Sequence, residues 1–225
     1  MKESLDDLEW QAREMLDRST AERMPFFPTT VFARRGGETV AGTAFPPDRD
    51  LMLTVLEMMV TGFDLSEVSF IIDTYSSPTD TNPITGKTWG PGEMAKVAEY
   101  DRGVERGWVH DALMLGRAER ESGTPSVDIR MLPYRLHGRS VEYLQPRPLI
   151  GGYVEREVRK MMTAPTIWDP GEIGLDPADQ PALRLRLDVA VVRVIATVTG
   201  VEVSLIADPG SARGNLAFDL SPERN

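Results

Sequence analysis

The sequence predicts an α+β fold in which an antiparallel sheet carries flanking helices and is followed by a C-terminal helical extension. Strand patterns that pair as hairpins occur in both halves of the chain, and a largely apolar helix pattern stands between them. The predicted order of elements is α-β-β-α-β-β-β-α. We assign residues 1–164 to the α+β sandwich. Residues 165–225 are expected to hold a proline-rich connector, the helical extension and a loose tail, either as a second unit or as part of the first.

The N-terminal part of the chain predicts one helix and one hairpin. Ser4 is a good N-cap, and apolar residues then recur at helical spacing as far as residue 18. Two β-rich runs follow, and they flank the turn at residues 35–38. The paired glycines of this turn allow the positive φ angles that a tight hairpin requires. We therefore expect a helix at 4–18 and two antiparallel strands after it.

The segment 50–61 has the most informative helix pattern. Its polar residues form one narrow stripe, at Asp50, Thr54, Glu57 and Thr61. Every other position is apolar, so this helix is expected to be buried on more than one side. One side would lie on the sheet. The other would be covered by another element or by another subunit, which makes it a candidate buried-helix interface.

The rest of the chain predicts further strands and two helices. The run 67–73 shows little alternation, which is typical of a central strand buried on both faces. Strand patterns return in 108–119, 126–137 and 139–144, and helix patterns occur in 149–162 and 182–199. In the last segment a strand is an alternative, because Leu and Arg also alternate there.

This order of elements is similar to that of roadblock, longin and profilin-like domains. Such domains place a helix layer on an antiparallel sheet, and they often work by dimerising. The resemblance therefore implies a protein-interaction role and a homo-oligomer.

Composition disfavours several classes of function. The formal net charge of −10 disfavours nucleic acid and acidic membrane surfaces as partners, because both are negatively charged. The absence of cysteine removes disulfides, thiolate nucleophiles and zinc sites that use sulfur. No secretory signal and no apolar run of about 18 residues is visible, so we expect a cytoplasmic protein without a membrane partner.

Known catalytic and ligand-binding motifs are absent. The tripeptide 86–88, Gly-Lys-Thr, lacks the earlier glycine of a phosphate-binding loop, because Thr81 stands at that position. The two histidines, His110 and His137, show no metal-ligand spacing. We therefore predict no cofactor, no metal and no catalytic residue.

Two other functions stay open at this point. One is a hydrolase that depends on a divalent metal, because carboxylates bind such ions. Its candidate ligands are Asp73, Asp80 and Asp111. The other is a small-ligand sensor, which suits the sandwich shape but has no residue pattern of its own.

The longest stretch without a helix or strand pattern runs from residue 74 to residue 92. Connections of this length are uncommon unless they are functional or disordered. Three prolines stiffen this one, and aromatic side chains on a stiff exposed loop suit protein contact. We therefore predict a non-enzymatic interaction, assembly or structural module. Its binding residues on the loop are Tyr75, Lys87, Trp89, Gly90 and Gly92. The alternative is that Trp89 folds back and caps the core.

The later strands carry a local excess of positive charge. Residues 109–160 hold nine Lys or Arg and seven Asp or Glu. We predict that Arg130 and Arg135 face outward and add to the binding surface, the alternative being a solvated face with local ion pairs. Pro133 is expected to bulge its strand, so that Val127 and Tyr134 share the inward face.

Overall fold

The computed structural model of the protein describes residues 4–90, 92–120, 124–165 and 180–206. An antiparallel eight-stranded sheet carries helices on both faces, which confirms the predicted α+β class. The predicted tail and almost all of the predicted proline-rich connector lie outside the described residues.

Helices and strands follow the predicted order, with three short additions. The helices are α1 (Leu5–Glu22), α2 (Arg49–Phe63), α3 (Glu93–Tyr100), α4 (Tyr153–Thr163) and α5 (Gln180–Thr199). The strands are β1 (Thr29–Arg35), β2 (Glu38–Phe45), β3 (Glu67–Ser76), β4 (His110–Glu119), β5 (Ser126–His137), β6 (Ser140–Tyr143), β7 (Arg147–Pro148) and β8 (Ser204–Leu205). The additions are α3, β7 and β8. The segment 182–199, for which both a helix and a strand were possible, lies in the helix α5.

The strands lie in the order β6-β5-β4-β3-β1-β2-β8, and β7 pairs with β5 beside β6. β3 therefore lies inside the sheet, and its first six residues are buried, as predicted. It pairs with β4 over its whole length. In the β1–β2 turn, Gly36 and Gly37 have φ angles of 59° and 87°, which confirms the predicted hairpin turn.

α2 is buried on two sides, as its pattern predicts. Leu56 and Met59 are inaccessible to solvent, whereas Thr54 and Glu57 are exposed. The helix packs on β1 and β3 below it and on α4 and α5 beside it. The second side of α2 is therefore covered by helices of the same chain, and another subunit is not needed to cover it.

The opposite face of the sheet carries α1. Ser4 caps this helix as predicted: its side chain accepts the amide of Asp7, and the Asp7 carboxylate accepts the amide of Ser4. The apolar stripe of α1 packs on β4 and β5. The buried residues of this second core are Leu8, Ala12, Leu16, Phe27, Ile71, Leu113, Leu115, Leu132 and Tyr134.

β5 runs through Pro133 without the predicted bulge. Its register against β4 is continuous from Ser126 to Tyr134. Val127 therefore lies in the core beneath α2 and α4, and Tyr134 lies in the core beneath α1. The prediction was wrong because it assumed one buried face, whereas helices cover both faces of this strand.

Candidate functional site

The connection between β3 and β4 is much longer than the fold requires. The two strands are paired as far as Ser76 and His110. Antiparallel neighbours paired in this way can be joined by two to five residues. The chain instead places residues 77–109 there, including α3. We call residues 77–109 the insertion. The insertion contains most of the predicted loop, residues 74–92. The first residues of that loop belong to the end of β3, and the loop ends where α3 begins.

A hydrogen-bond network around Asn82 holds the first half of the insertion together. The buried side chain of Asn82 accepts the amides of Ile84 and Thr85, at 2.9 and 3.4 Å, and its Nδ2 donates to Glu93 Oε2 at 3.1 Å. The same Glu93 oxygen accepts the amide of Gly90 at 2.9 Å. The hydrogen bonds from Gly90 and Asn82 lower the pKa of Glu93. The loop is thus tied to the first turn of α3 and has a defined shape.

The predicted binding residues of the insertion differ in exposure. Trp89 is half-buried, and its indole Nε1 donates to the carbonyl of Thr79 at 2.9 Å, so this side chain helps to hold the loop. Lys87 is exposed near the tip, and Gly92 adopts a φ of 73° where α3 begins. The apolar side chains that the insertion exposes are Ile84, Tyr100 and Val104. Sequence reasoning did not select these three, because single apolar residues in polar segments carry no pattern.

Carboxylates and tyrosines cluster on the sheet at the base of the insertion. Asp73 and Tyr75 of β3, Asp111 of β4 and Tyr134 of β5 share the face that carries α1. Tyr134 Oη donates to Asp73 Oδ1 at 2.9 Å. Burial raises the pKa of Asp73 to about 6; the hydrogen bond from Tyr134 opposes this rise, and the charge of Asp111 adds to it. Asp73 therefore exchanges a proton close to neutral pH, in the range where general acids and bases work.

The three carboxylates of the hydrolase alternative do not form one cluster. Asp73 and Asp111 share a sheet face, but Asp80 lies in the insertion, where its carbonyl accepts the amide of Trp89 at 3.3 Å. In the part of the chain that the structure describes, no group of three or more Asp, Glu or His side chains could hold a metal ion.

The two predicted arginines lie on opposite faces of β5. Arg130 Nη1 donates to Asp6 at 2.7 Å and to Glu9 at 2.6 Å, and it thereby holds α1 on the sheet. Arg135 is exposed and lies 3.8 Å from Glu142. Its strand position is next to Tyr134, so Arg135 is near the base of the insertion, whereas Arg130 lies further along β5.

The comparisons with known proteins assign no family. No protein-family model, no curated protein and no solved structure matches the chain. The similarity of element order to roadblock, longin and profilin-like domains is therefore not supported by any matched structure. Within the described ranges, none of the helices has both the length and the apolar character that crossing a bilayer requires.

Proposed function

We propose that the protein is an interaction module that binds a second copy of itself through the insertion. One observation carries this proposal: residues 77–109 form a folded excursion between two strands that are already paired to their ends. A connection of this length that keeps a defined structure is typical of a functional loop.

The structure of the insertion suits binding. The network around Asn82 fixes the loop before any partner arrives, so less conformational entropy is lost on association. Ile84 and Tyr100 are 50% and 80% exposed, and such side chains gain free energy when a partner covers them. Trp89 supports the loop from beneath and is expected to contribute contact area with its exposed part.

The charge of the insertion favours a second copy as the partner. The whole chain has a net charge of −10, so two copies carry the same net charge and repel each other. The insertion is nearly neutral, because it carries five acidic and four basic side chains. A twofold axis brings the same surface of two copies together. Acidic side chains of one insertion can then pair with basic side chains of the other.

Sedimentation of variants tests this proposal. Ile84→Ser and Tyr100→Ser should each weaken self-association by about tenfold or more and leave the urea unfolding midpoint nearly unchanged. Ile150→Ser is the matched control, since Ile150 is 86% exposed and lies outside the insertion. Equal weakening by the control, or no weakening by either test variant, contradicts the proposal.

A second candidate function is acid–base catalysis by Asp73, as in the hydrolase alternative. It is favoured by the raised pKa of Asp73 and by the neighbouring carboxyl of Asp111, whose pKa is also raised by burial. If the pair binds a divalent ion, millimolar magnesium or manganese should raise the melting temperature of the wild-type protein but not that of Asp73→Asn. An unchanged melting temperature contradicts the metal-dependent form of this function.

A further inference from the structure

The helix α5 has an apolar stripe that the core of the protein does not bury. The side of α5 that packs on the rest of the fold carries Asp188, Val192 and Ile195, and all three are buried. A second set of apolar residues recurs at spacings of three or four, which places its members along one side of a helix. This set, which we call the α5 stripe, consists of Leu183, Leu187, Val191, Val194 and Val198. With about 3.6 residues per turn, the α5 stripe is centred about 100° around the helix axis from the buried side.

The α5 stripe is only partly covered by the described part of the chain. Val194 and Val198 are 53% and 66% exposed, and the other three members are half-buried. Val191 contacts α2, because a Cβ added at Gly62 would lie 2.7 Å from a methyl carbon of Val191. The stripe therefore runs along the outer edge of the contact between α2 and α5. Apolar side chains in a continuous exposed row gain free energy when another segment covers them.

The chain leaves the described fold close to α5. The strand β8 packs against α5 and pairs with β2 at the edge of the sheet. β8 runs towards the β1–β2 turn, and the amide of Ile206 donates to the carbonyl of Val40 at 2.9 Å. At the same end of the sheet, Arg35 binds Asp188 in the first half of α5 at 2.8 Å. The segment that follows Ile206 therefore begins next to α5.

Residues 207–225, which we call the C-terminal segment, lie outside the described ranges, and their sequence suits the α5 stripe. The large apolar side chains of this segment stand close together and are Leu216, Phe218 and Leu220. The nine residues before Leu216 can span about 30 Å when extended. The α5 stripe is about 22 Å long, at a rise of about 1.5 Å per residue, so the apolar side chains can reach any part of it.

Charge also favours this occupant. Arg186 and Arg193 are exposed on α5, whereas the acidic side chain of α5, Asp188, is buried and bound to Arg35. In the C-terminal segment, Asp219 stands among the apolar side chains, so its carboxylate suits the basic surface beside the stripe. A segment of the same chain also has a high effective concentration at the stripe, which a separate partner lacks.

We propose that the C-terminal segment packs its apolar side chains on the α5 stripe of its own chain. This contact covers the exposed apolar side chains Val194 and Val198, and it places Asp219 near the basic surface of α5. The α5 stripe is then closed to other molecules, and the insertion stays free to bind.

Paramagnetic labelling of the full chain tests this contact. The chain has no cysteine, so Ser221→Cys gives a single attachment point for a nitroxide beside the apolar group. The methyl NMR signals of Val194 and Val198 should lose most of their intensity relative to the sample with the reduced label. Leu136 is the control, because it is 52% exposed and lies on β5, near the other edge of the sheet; its signal should keep its intensity. Full intensity at Val194 and Val198 overturns the proposal.

A mixed sample separates contact within one chain from contact between chains. Chains that carry the nitroxide but no NMR isotope are mixed with isotope-labelled chains that carry no nitroxide. The signals of the α5 stripe should then keep their intensity. A loss as large as that in the first sample would show that the segment covers a second copy, and it would overturn the proposal.

Variants of the nitroxide-labelled chain distinguish packing from mere proximity. Phe218→Ser should restore most of the lost intensity, because it removes the largest apolar side chain of the segment. Ala212→Ser, in the same segment but outside the apolar group, should leave the loss unchanged. Equal effects of the two variants overturn the proposal. The contact does not involve residues 77–109, so this proposal and self-association through the insertion can each fail without the other.

Discussion

Replacing Asp73 by Asn tests whether the carboxyl group at the base of the insertion reduces the stability of the fold. Burial raises the pKa of Asp73 from 3.8 to about 6. A group with a raised folded-state pKa stabilises the fold below its unfolded-state pKa, and this contribution is lost as the pH rises through the folded-state pKa. From this group alone, the wild-type protein should therefore lose about 2–3 kcal/mol of unfolding free energy between about pH 4 and pH 7.

The substitution Asp73→Asn removes the charge and keeps an oxygen that can accept the O–H of Tyr134. At about pH 8 the variant should be more stable than the wild-type protein by about 2–3 kcal/mol; the difference should be roughly half as large at pH 5 and small at pH 4. Urea unfolding at a series of pH values measures this difference. Asp80→Asn, in an exposed part of the insertion, keeps Asp73 and is the control; its unfolding free energy should stay close to that of the wild-type protein at every pH. A variant that is less stable than the wild-type protein at pH 8 would refute the burial argument.

Three further substitutions test the core and the insertion. Leu56→Ala should cost about 2–5 kcal/mol of unfolding free energy, whereas Glu57→Ala on the exposed stripe should cost little, and equal costs in urea unfolding would contradict the burial of α2. Asn82→Ala should lower the local stability of the insertion by about 1–2 kcal/mol, which corresponds to roughly 5- to 30-fold faster limited proteolysis within 77–92. Unchanged cleavage would show that the network around Asn82 does not hold the loop.

The elements that could be predicted from the sequence are those whose burial leaves a regular pattern. The narrow polar stripe of α2 and the unbroken apolar run of β3 both correspond to what the structure buries. α3 left no such trace, because it has eight residues and Val97 is its buried residue. The predicted bulge of β5 was wrong because α1 covers the second face of this strand. α1 lies far away in the sequence, so the sequence of β5 carries no local signal of this covering.

The candidate site was predictable only in part for a related reason. The length and prolines of the loop are local properties, so its unusual character was visible in the sequence. The hydrogen bond between Tyr134 and Asp73 depends on the register of three strands, β3, β4 and β5. The spacing of these residues along the sequence does not predict it. The same is true of Arg130, whose partners Asp6 and Glu9 lie more than a hundred residues away.

Hydrogen exchange at low and high protein concentration tests self-association through the insertion most directly, because it locates the surface that a second copy covers. We expect amide protection to increase with concentration in residues 77–109 and to stay constant elsewhere. The rival surface is the exposed apolar side of α5, with Leu185, Val194 and Val198. Protection that increases on α5 and not in the insertion, or that does not change with concentration anywhere, would contradict the account.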